Sequence, residues 1–283
     1  MTSNVNSYLR NSWCLTKFIG KFMLRPQLWK LSSSQLRNEL ELVKIVDKPR
    51  YTTMLINLFG KPFEIVDSMS FLWIYNDIFK LEVYKFISKN TRPLIIDCGA
   101  NIGVSILYFK TLYPESKIIA FEPDIKVFNA LEKNMNSFGF NDVKLIGKAL
   151  WNSETVLEFT SEGGDAGRIF QSESQSSTYQ VQTVRLRDYL EQPVDFLKID
   201  IEGAETTVIE DSWDLLCNVN KLFVEYHSFV NENQSLNRLI NILSQSGFRL
   251  YIQPISKSAH PFVKREVFNG IDMQLNIFAW REG

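Results

Sequence analysis

The sequence predicts an α/β fold: a mostly parallel sheet of about seven strands, with helices on both faces and a helical extension ahead of it. Three observations point there. Short apolar runs alternate with helix-length segments from Pro93 to the C-terminus. The first run opens into a turn holding Gly99 and Gly103, and a helical pattern follows at once. The second ends in Phe121-Glu122-Pro123, which puts an acidic residue at a strand's carboxyl end.

Residues 1–48 read as the helical extension, with Leu36, Leu40 and Val43 on a different face from Arg37, Glu39 and Glu41. Within it, residues 15–31 interleave Phe18, Phe22, Leu24 and Trp29 with Lys17, Lys21, Arg25 and Lys30. That is too charged for a signal-peptide core. It suits a basic amphipathic helix resting on its own domain, on a second copy of the chain or on a membrane surface. A homodimer through these helices is therefore an expectation. Residues 49–90 form a leading unit: strands 52–59 and 63–66 joined at Gly60-Lys61-Pro62, then an aromatic helix over 71–86.

Residues 91–283 hold the main domain. The predicted parallel strands are 94–97, 117–121, 143–150, 196–201 and 222–227, and a final pair, 248–253 and 274–280, has room for one antiparallel member. Helices are expected at 102–113, from Asp124 as N-cap to about Gly139, at 204–211 and at 236–246. A Ser-, Glu- and Gly-rich insertion, 160–178, separates two further short strands, 156–159 and 180–184. Its Gly163-Gly164-Asp165-Ala166-Gly167-Arg168 stretch reads either as a mobile gate or as a solvated loop.

Composition narrows the function. A chain of 283 residues with 45% hydrophobic and 22% charged residues is globular, and its net charge of −1 offers no long-range attraction to nucleic acid. No basic stripe and no Asn-Pro-Pro tetrapeptide of nucleic-acid methylation appear. No run reaches the roughly 20 apolar residues of a transmembrane helix. Cys14, Cys98 and Cys217 show neither a disulfide framework nor metal-binding spacing, so a cytoplasmic location is expected.

The candidate cofactor site is the turn after the first parallel strand. Glycine there admits backbone angles closed to other residues and lets a ligand approach the main chain. Glu122, 23 positions after Gly99, stands where nucleoside-binding α/β folds place a carboxylate on the ribose hydroxyls. A dinucleotide site requires G-x-G-x-x-G, whereas the positions two and five after Gly99 are Asn101 and Val104. Asp97 ahead of the turn would repel a pyrophosphate and could hold the cationic amino-acid end of S-adenosyl-L-methionine.

These residues carry a resemblance. Asp97-Cys98-Gly99-Ala100-Asn101-Ile102-Gly103, Phe121-Glu122-Pro123 and Asp195-Phe196-Leu197-Lys198-Ile199-Asp200-Ile201-Glu202-Gly203-Ala204-Glu205 together resemble the FkbM family of S-adenosylmethionine-dependent methyltransferases, over roughly residues 50 to 280. The resemblance implies the class I methyltransferase (Rossmann-like) fold with a seven-stranded mostly parallel sheet, S-adenosyl-L-methionine as cofactor and transfer to an oxygen, on a saccharide or other small-molecule acceptor. Asn101 departs from the glycine that many class I enzymes outside the family carry there. Asp97, Gly99, Ala100, Asn101, Gly103, Glu122, Pro123, Ala149 and Asp200 become the expected cofactor residues, with the adenine near Lys148, Ala149 and Leu150.

The fourth parallel strand delivers Lys198, Asp200 and Glu202 on one side by alternation, and the fifth delivers Glu225 and His227. His227, one of two histidines, is the candidate general base, with Asp200 or Glu202 orienting it; a structural role is equally open. The same Asp200, Glu202 and His227 could instead hold Mg²⁺. Phe71, Trp73, Tyr75 and Phe79 are either an opposing wall or plain core. A nicotinamide-dependent oxidoreductase and a binding protein with a degenerate site are the competing functions.

Overall fold

The computed structural model describes residues 33–161, 168–169, 177–255 and 258–281. The segment 15–31, read above as a basic amphipathic helix, and residues 163–167 of the stretch read as either a gate or a solvated loop lie outside the described residues.

Helix α1 (Ser33–Ile45) leads to an antiparallel hairpin, β1 (Met54–Leu58) and β2 (Lys61–Ile65). The turn is Phe59-Gly60, with φ of 50° and 83°, and Lys61-Pro62 already belong to the second strand. Two successive positive-φ residues match the twist of the strands they join. Helix α2 (Ser68–Tyr75) starts at Asp67, whose side chain accepts from the Ser70 amide and is clamped by Arg50. The aromatic helix expected over 71–86 is thus shorter and shifted: after Tyr75 the chain widens into one π-helical turn, Asn76–Lys80, and ends.

The main sheet has seven strands in the order β12-β13-β11-β10-β3-β4-β5. These are β3 (Leu94–Cys98), β4 (Lys117–Phe121), β5 (Val143–Ile146), β10 (Val194–Ile199), β11 (Val219–Phe229), β12 (Arg249–Pro254) and β13 (Ile271–Trp280). All are parallel except β13, which runs antiparallel to both of its neighbours, so the single antiparallel member is the last strand, inserted one place from the edge. Strand order reverses between β3 and β10. In open parallel sheets, ligands bind outside the carboxyl ends at such a switch.

Alternation sends side chains of each strand to opposite faces. Ile95, Phe196 and Phe223 join a core with α3 (Val104–Leu112), α4 (Ile125–Phe138) and the leading hairpin. Ile96, Leu197, Leu222 and Val224 join a second core with α5 (Glu205–Asp211) and α6 (Leu236–Gln245). Each fully buried Leu, Ile or Phe in these cores stabilises the fold by about 1.5–3 kcal/mol. Helix α4 begins and ends where its sequence dictates: Asp124 accepts from the Lys126 and Val127 amides, and Gly139 closes it at φ 72°.

The third strand departs from expectation. The apolar run 143–150 is divided at Gly147-Lys148: β5 stays at the edge of the main sheet, while β6 (Ala149–Trp151) pairs with β9 (Ser177–Arg185). With β7 (Val156–Ser161) and β8 (Arg168–Ile169) these make a small four-stranded sheet in the order β6-β9-β7-β8. Thr183 fastens it by donating to Ser153 O while accepting from the Thr155 amide.

Candidate active site

A cavity of about 890 Å³ opens at the carboxyl ends of β3, β4, β10 and β11. Ligand pockets of this kind usually measure roughly 300–1,000 Å³. Its floor is the turn after β3. Gly99 (φ 84°) brings the main chain against β10 so closely that a Cβ there would fall 1.8 Å from the Asp200 carbonyl oxygen. Gly103 (φ 93°) is needed for a different approach: a Cβ would meet Met135 and Leu131 of α4 at 2.6 and 2.8 Å, so it seats α3 on α4 and lies outside the cavity lining.

Every amide of this turn is committed. Gly99 and Ala100 donate to Phe121 O, Gly103 donates to Ala100 O, Ile102 donates to the Asn101 side chain, and Asn101 donates to Glu122 at 3.0 Å. No amide remains for a pyrophosphate, which removes the feature a dinucleotide site depends on. Glu122 is buried and faces the cavity; its two oxygens accept from the Asn101 and Asp124 amides. Each carboxylate oxygen has two acceptor directions, so capacity remains for two sugar hydroxyls. Ala149, Leu150, Val127 and Phe159 give an apolar slot beside it, with Pro123 and Lys148 also lining the wall. This donor and acceptor set fits an adenosyl group attached to a sulfonium.

Burial pushes the Glu122 carboxyl up to about 7, helped by the charge of Asp124 and opposed by the two amides. The ionised form is the one that accepts from sugar hydroxyls. Affinity for S-adenosylhomocysteine is therefore expected to fall about tenfold per pH unit below about pH 7, and Glu122→Gln is expected to flatten that slope. Calorimetry across pH 5 to 8 checks it. A carboxyl whose folded pKa lies above its ordinary 4.5 also costs stability once ionised. The ligand-free protein should thus lose this contribution as pH rises from 4.5 through about 7.

Asp97 is fully buried, one layer beneath the cavity. Its carboxylate accepts from Ser105 Oγ and stands 3.3 Å from Lys198 Nζ. Lys198 also donates to Gly99 O at 2.8 Å and pairs with Asp200 at 3.3 Å. Burial works against the ammonium, but Asp200 and Asp97 outweigh it and hold the pKa well above its usual value. Lys198 thus ties the turn after β3 to the end of β10.

Strand β10 stops at Ile199, and Glu202 (φ 54°) and Gly203 (φ 106°) turn the chain. Asp200, Ile201 and Glu202 all line the cavity, because alternation ends with the strand. Burial raises both carboxyls, Glu202 to about 8; the charge of Glu225 adds to it at Asp200, while His227 opposes it at Glu202. The His227 side chain is fully enclosed behind them and does not line the cavity. Its Nδ1 is 3.1 Å from Glu205, and its Nε2 lies 3.6 Å from Glu202, 3.5 Å from Glu225 and 3.1 Å from the Gln274 amide nitrogen. Burial opposes its charge, yet Glu202 and Glu205 raise its pKa well above the usual value.

Sequence reasoning assigned no role to Glu205 or Gln274. Glu205 also accepts from the Ile201 and Gly203 amides, pinning the positive-φ turn. Gln274 arrives on β13, directly across the ladder from His227. Of the four aromatics, only Trp73 reaches the cavity; Phe71 and Tyr75 are core, and Phe79 stacks on Tyr75.

The sequence matches the methyltransferase FkbM domain over residues 97–250, more than half of the chain, and the protein belongs to that family. S-adenosylmethionine is accordingly its cofactor. It is 29% identical to methyltransferase sdnD of Sordaria araneosa over 187 residues, covering 52% of this chain and 72% of that one. It is 30% identical to methyltransferase 1 of Beauveria bassiana over 176 residues, with shares of 52% and 71%. The 2-O-methyltransferase NoeI of Sinorhizobium fredii is 26% identical over 155 residues, with shares of 47% and 63%.

Proposed function

We propose that the protein transfers the methyl group to a hydroxyl oxygen of a saccharide or other small natural-product acceptor. The observation that carries this reading is the convergence of Asp200, Glu202 and Glu225 on the cavity at β10 and β11. Glu122, just past the end of β4, stands two strand spacings from β10 and three from β11, about 10–14 Å at ordinary strand spacing. With the sugar held at Glu122 and the sulfonium over the β3–β10 switch, the acceptor comes to lie among those carboxylates. The bound cofactor supplies an activated methyl group. The chain's own residues supply alignment and an anionic edge that draws the proton from the attacking hydroxyl.

Asp200, Glu202 and His227 act together there. His227, the expected base, is enclosed behind Glu202, Glu225 and Gln274, which line the cavity, so a carboxylate meets the hydroxyl first. The similarity to a relative described as a 2-O-methyltransferase supports oxygen as the target. Cys98 and Cys217 are free thiols, in keeping with a cytoplasmic setting. No helix among the described residues is long and apolar enough to cross a membrane. Leu40 and Val43 are exposed on α1, which suits a second copy of the chain packed on this extension.

Glu202→Gln is expected to lower turnover by about 100-fold or more while S-adenosylhomocysteine affinity stays within about 3-fold. Transfer from labelled cofactor to a panel of saccharides and hydroxylated natural products, with linkage analysis of the product, checks the acceptor. Methyl recovered only on nitrogen or sulfur would sink the oxygen assignment. In a thermal-shift comparison S-adenosylhomocysteine should raise the melting temperature and NAD should not.

A further inference from the structure

We propose that Asp200, Glu202 and His227 form a binding site for a divalent cation of the magnesium–manganese class at the acceptor end of the cavity. One ligand atom from each, two carboxylate oxygens and an imidazole nitrogen, all lie within 4.8 Å of one another. Donors about 2.1–2.3 Å from one cation lie at most about 4.6 Å apart, so small side-chain shifts close the set on an ion and keep positions open for water or a substrate hydroxyl. Hard oxygens with one imidazole suit manganese and magnesium better than the thiolate-seeking metals.

Three further features favour a cation over a set of carboxylates that merely neighbour each other. The imidazole is held for ligation: buried Glu205 engages Nδ1, while Nε2 is turned toward Glu202, Glu225 and the Gln274 side-chain nitrogen, whose contact a cation would replace. A carboxylate behind the imidazole is the usual outer partner of a metal-bound histidine. The charges are also unbalanced. Among the described residues, Asp97, Asp200, Glu202, Glu205 and Glu225 gather around two basic side chains, Lys198 and His227, and Lys198 is shared between Asp97 and Asp200. A cation held among them would offset carboxylate charge that partial burial makes costly. Finally, Asn276, which lines the same cavity and pairs with Glu225 across the β11–β13 ladder, has a solvent-inaccessible Oδ1 with no hydrogen-bond partner. That oxygen is a spare acceptor in the wall of the same cavity.

This inference deepens the reading as an oxygen methyltransferase, since a hydroxyl entering the cation's open position becomes a stronger acid. The site itself stands apart from that reading and is tested by binding.

The experiment is a titration of the EDTA-treated full chain, saturated with S-adenosylhomocysteine, with Mn²⁺, following loss of the free-ion signal by electron paramagnetic resonance. One Mn²⁺ per chain is expected, with affinity weakened about 10-fold or more by Glu202→Gln and by His227→Gln, and unchanged by the surface substitution Glu132→Gln. Calorimetry with S-adenosylhomocysteine shows whether each variant is folded, and Glu202→Asp, which shortens the reach, replaces any that is not. Absence of Mn²⁺ binding by the unsubstituted chain overturns the proposal, as does binding that none of the site variants weakens. Transfer to a nitrogen acceptor with Mn²⁺ still bound would count against the oxygen reading alone.

Discussion

Glu122→Ala is expected to weaken S-adenosylhomocysteine binding by about 10- to 100-fold, read by calorimetry. The carboxylate faces the cavity just past the end of β4, beside Asp124, and is held by the Asn101 and Asp124 amides. A hydrogen bond to a charged acceptor contributes about 1.5–3 kcal/mol, which converts to that range. The substitution also frees two buried amides, one of them in the cofactor turn itself, so the loss reaches beyond the sugar. Glu122→Gln should fall between the two, since its amide oxygen still accepts from one partner. Affinity within about 2-fold of the unsubstituted chain for both variants would remove Glu122 from the cofactor site.

Gly99→Ala is expected to produce the largest loss of stability. Its φ of 84° is strained for alanine, and the added methyl would overlap the Asp200 carbonyl oxygen at 1.8 Å. That oxygen has little freedom, because the Asp200 amide donates to Cys98 O and the two strands are in register. Either the β3–β10 pairing opens at its carboxyl end or the turn swings away from it. A cost of more than about 3 kcal/mol follows, near 10 °C in melting temperature for a domain of this size. Gly60→Ala is the control: its φ is 83°, but nothing lies within 4 Å of the added carbon, so only about 1 kcal/mol is at stake. A Gly99→Ala protein melting within about 2 °C of the unsubstituted chain would show that the close approach is not needed.

What was legible in the sequence was whatever local chemistry decides. Asp124 and Gly139 bracket their helix because an aspartate side chain and a left-handed glycine satisfy its ends. The turn from Gly99 to Gly103 announces itself through its glycines, and Glu122 through its distance from them. What escaped depends on partners far along the chain. The 143–150 run looks like one strand, yet β5 ends at Ile146 and Ala149 pairs with Thr183 of a strand the local pattern cannot see. Alternation correctly put His227 on the side facing the carboxylates, but its depth is set by Glu205 of α5 and Gln274 of β13. Asp97, expected at the cofactor, is screened from the cavity by Lys198, a contact made only when β3 and β10 lie side by side.

Asn134 on α4 gives the leading hairpin a stake in catalysis. Its side-chain nitrogen donates to both Glu64 O and Ile102 O, and its oxygen accepts from the Glu64 amide. One amide group therefore rivets β2 to the exit of the cofactor turn. Trimming the chain back to residue 91 would remove both Glu64 partners that hold the Asn134 amide in place and strip Phe63 and Phe71 from the core beneath. A minimal catalytic module cut from this protein has to begin upstream of the hairpin, because the amide that fastens the hairpin also fastens the turn after β3.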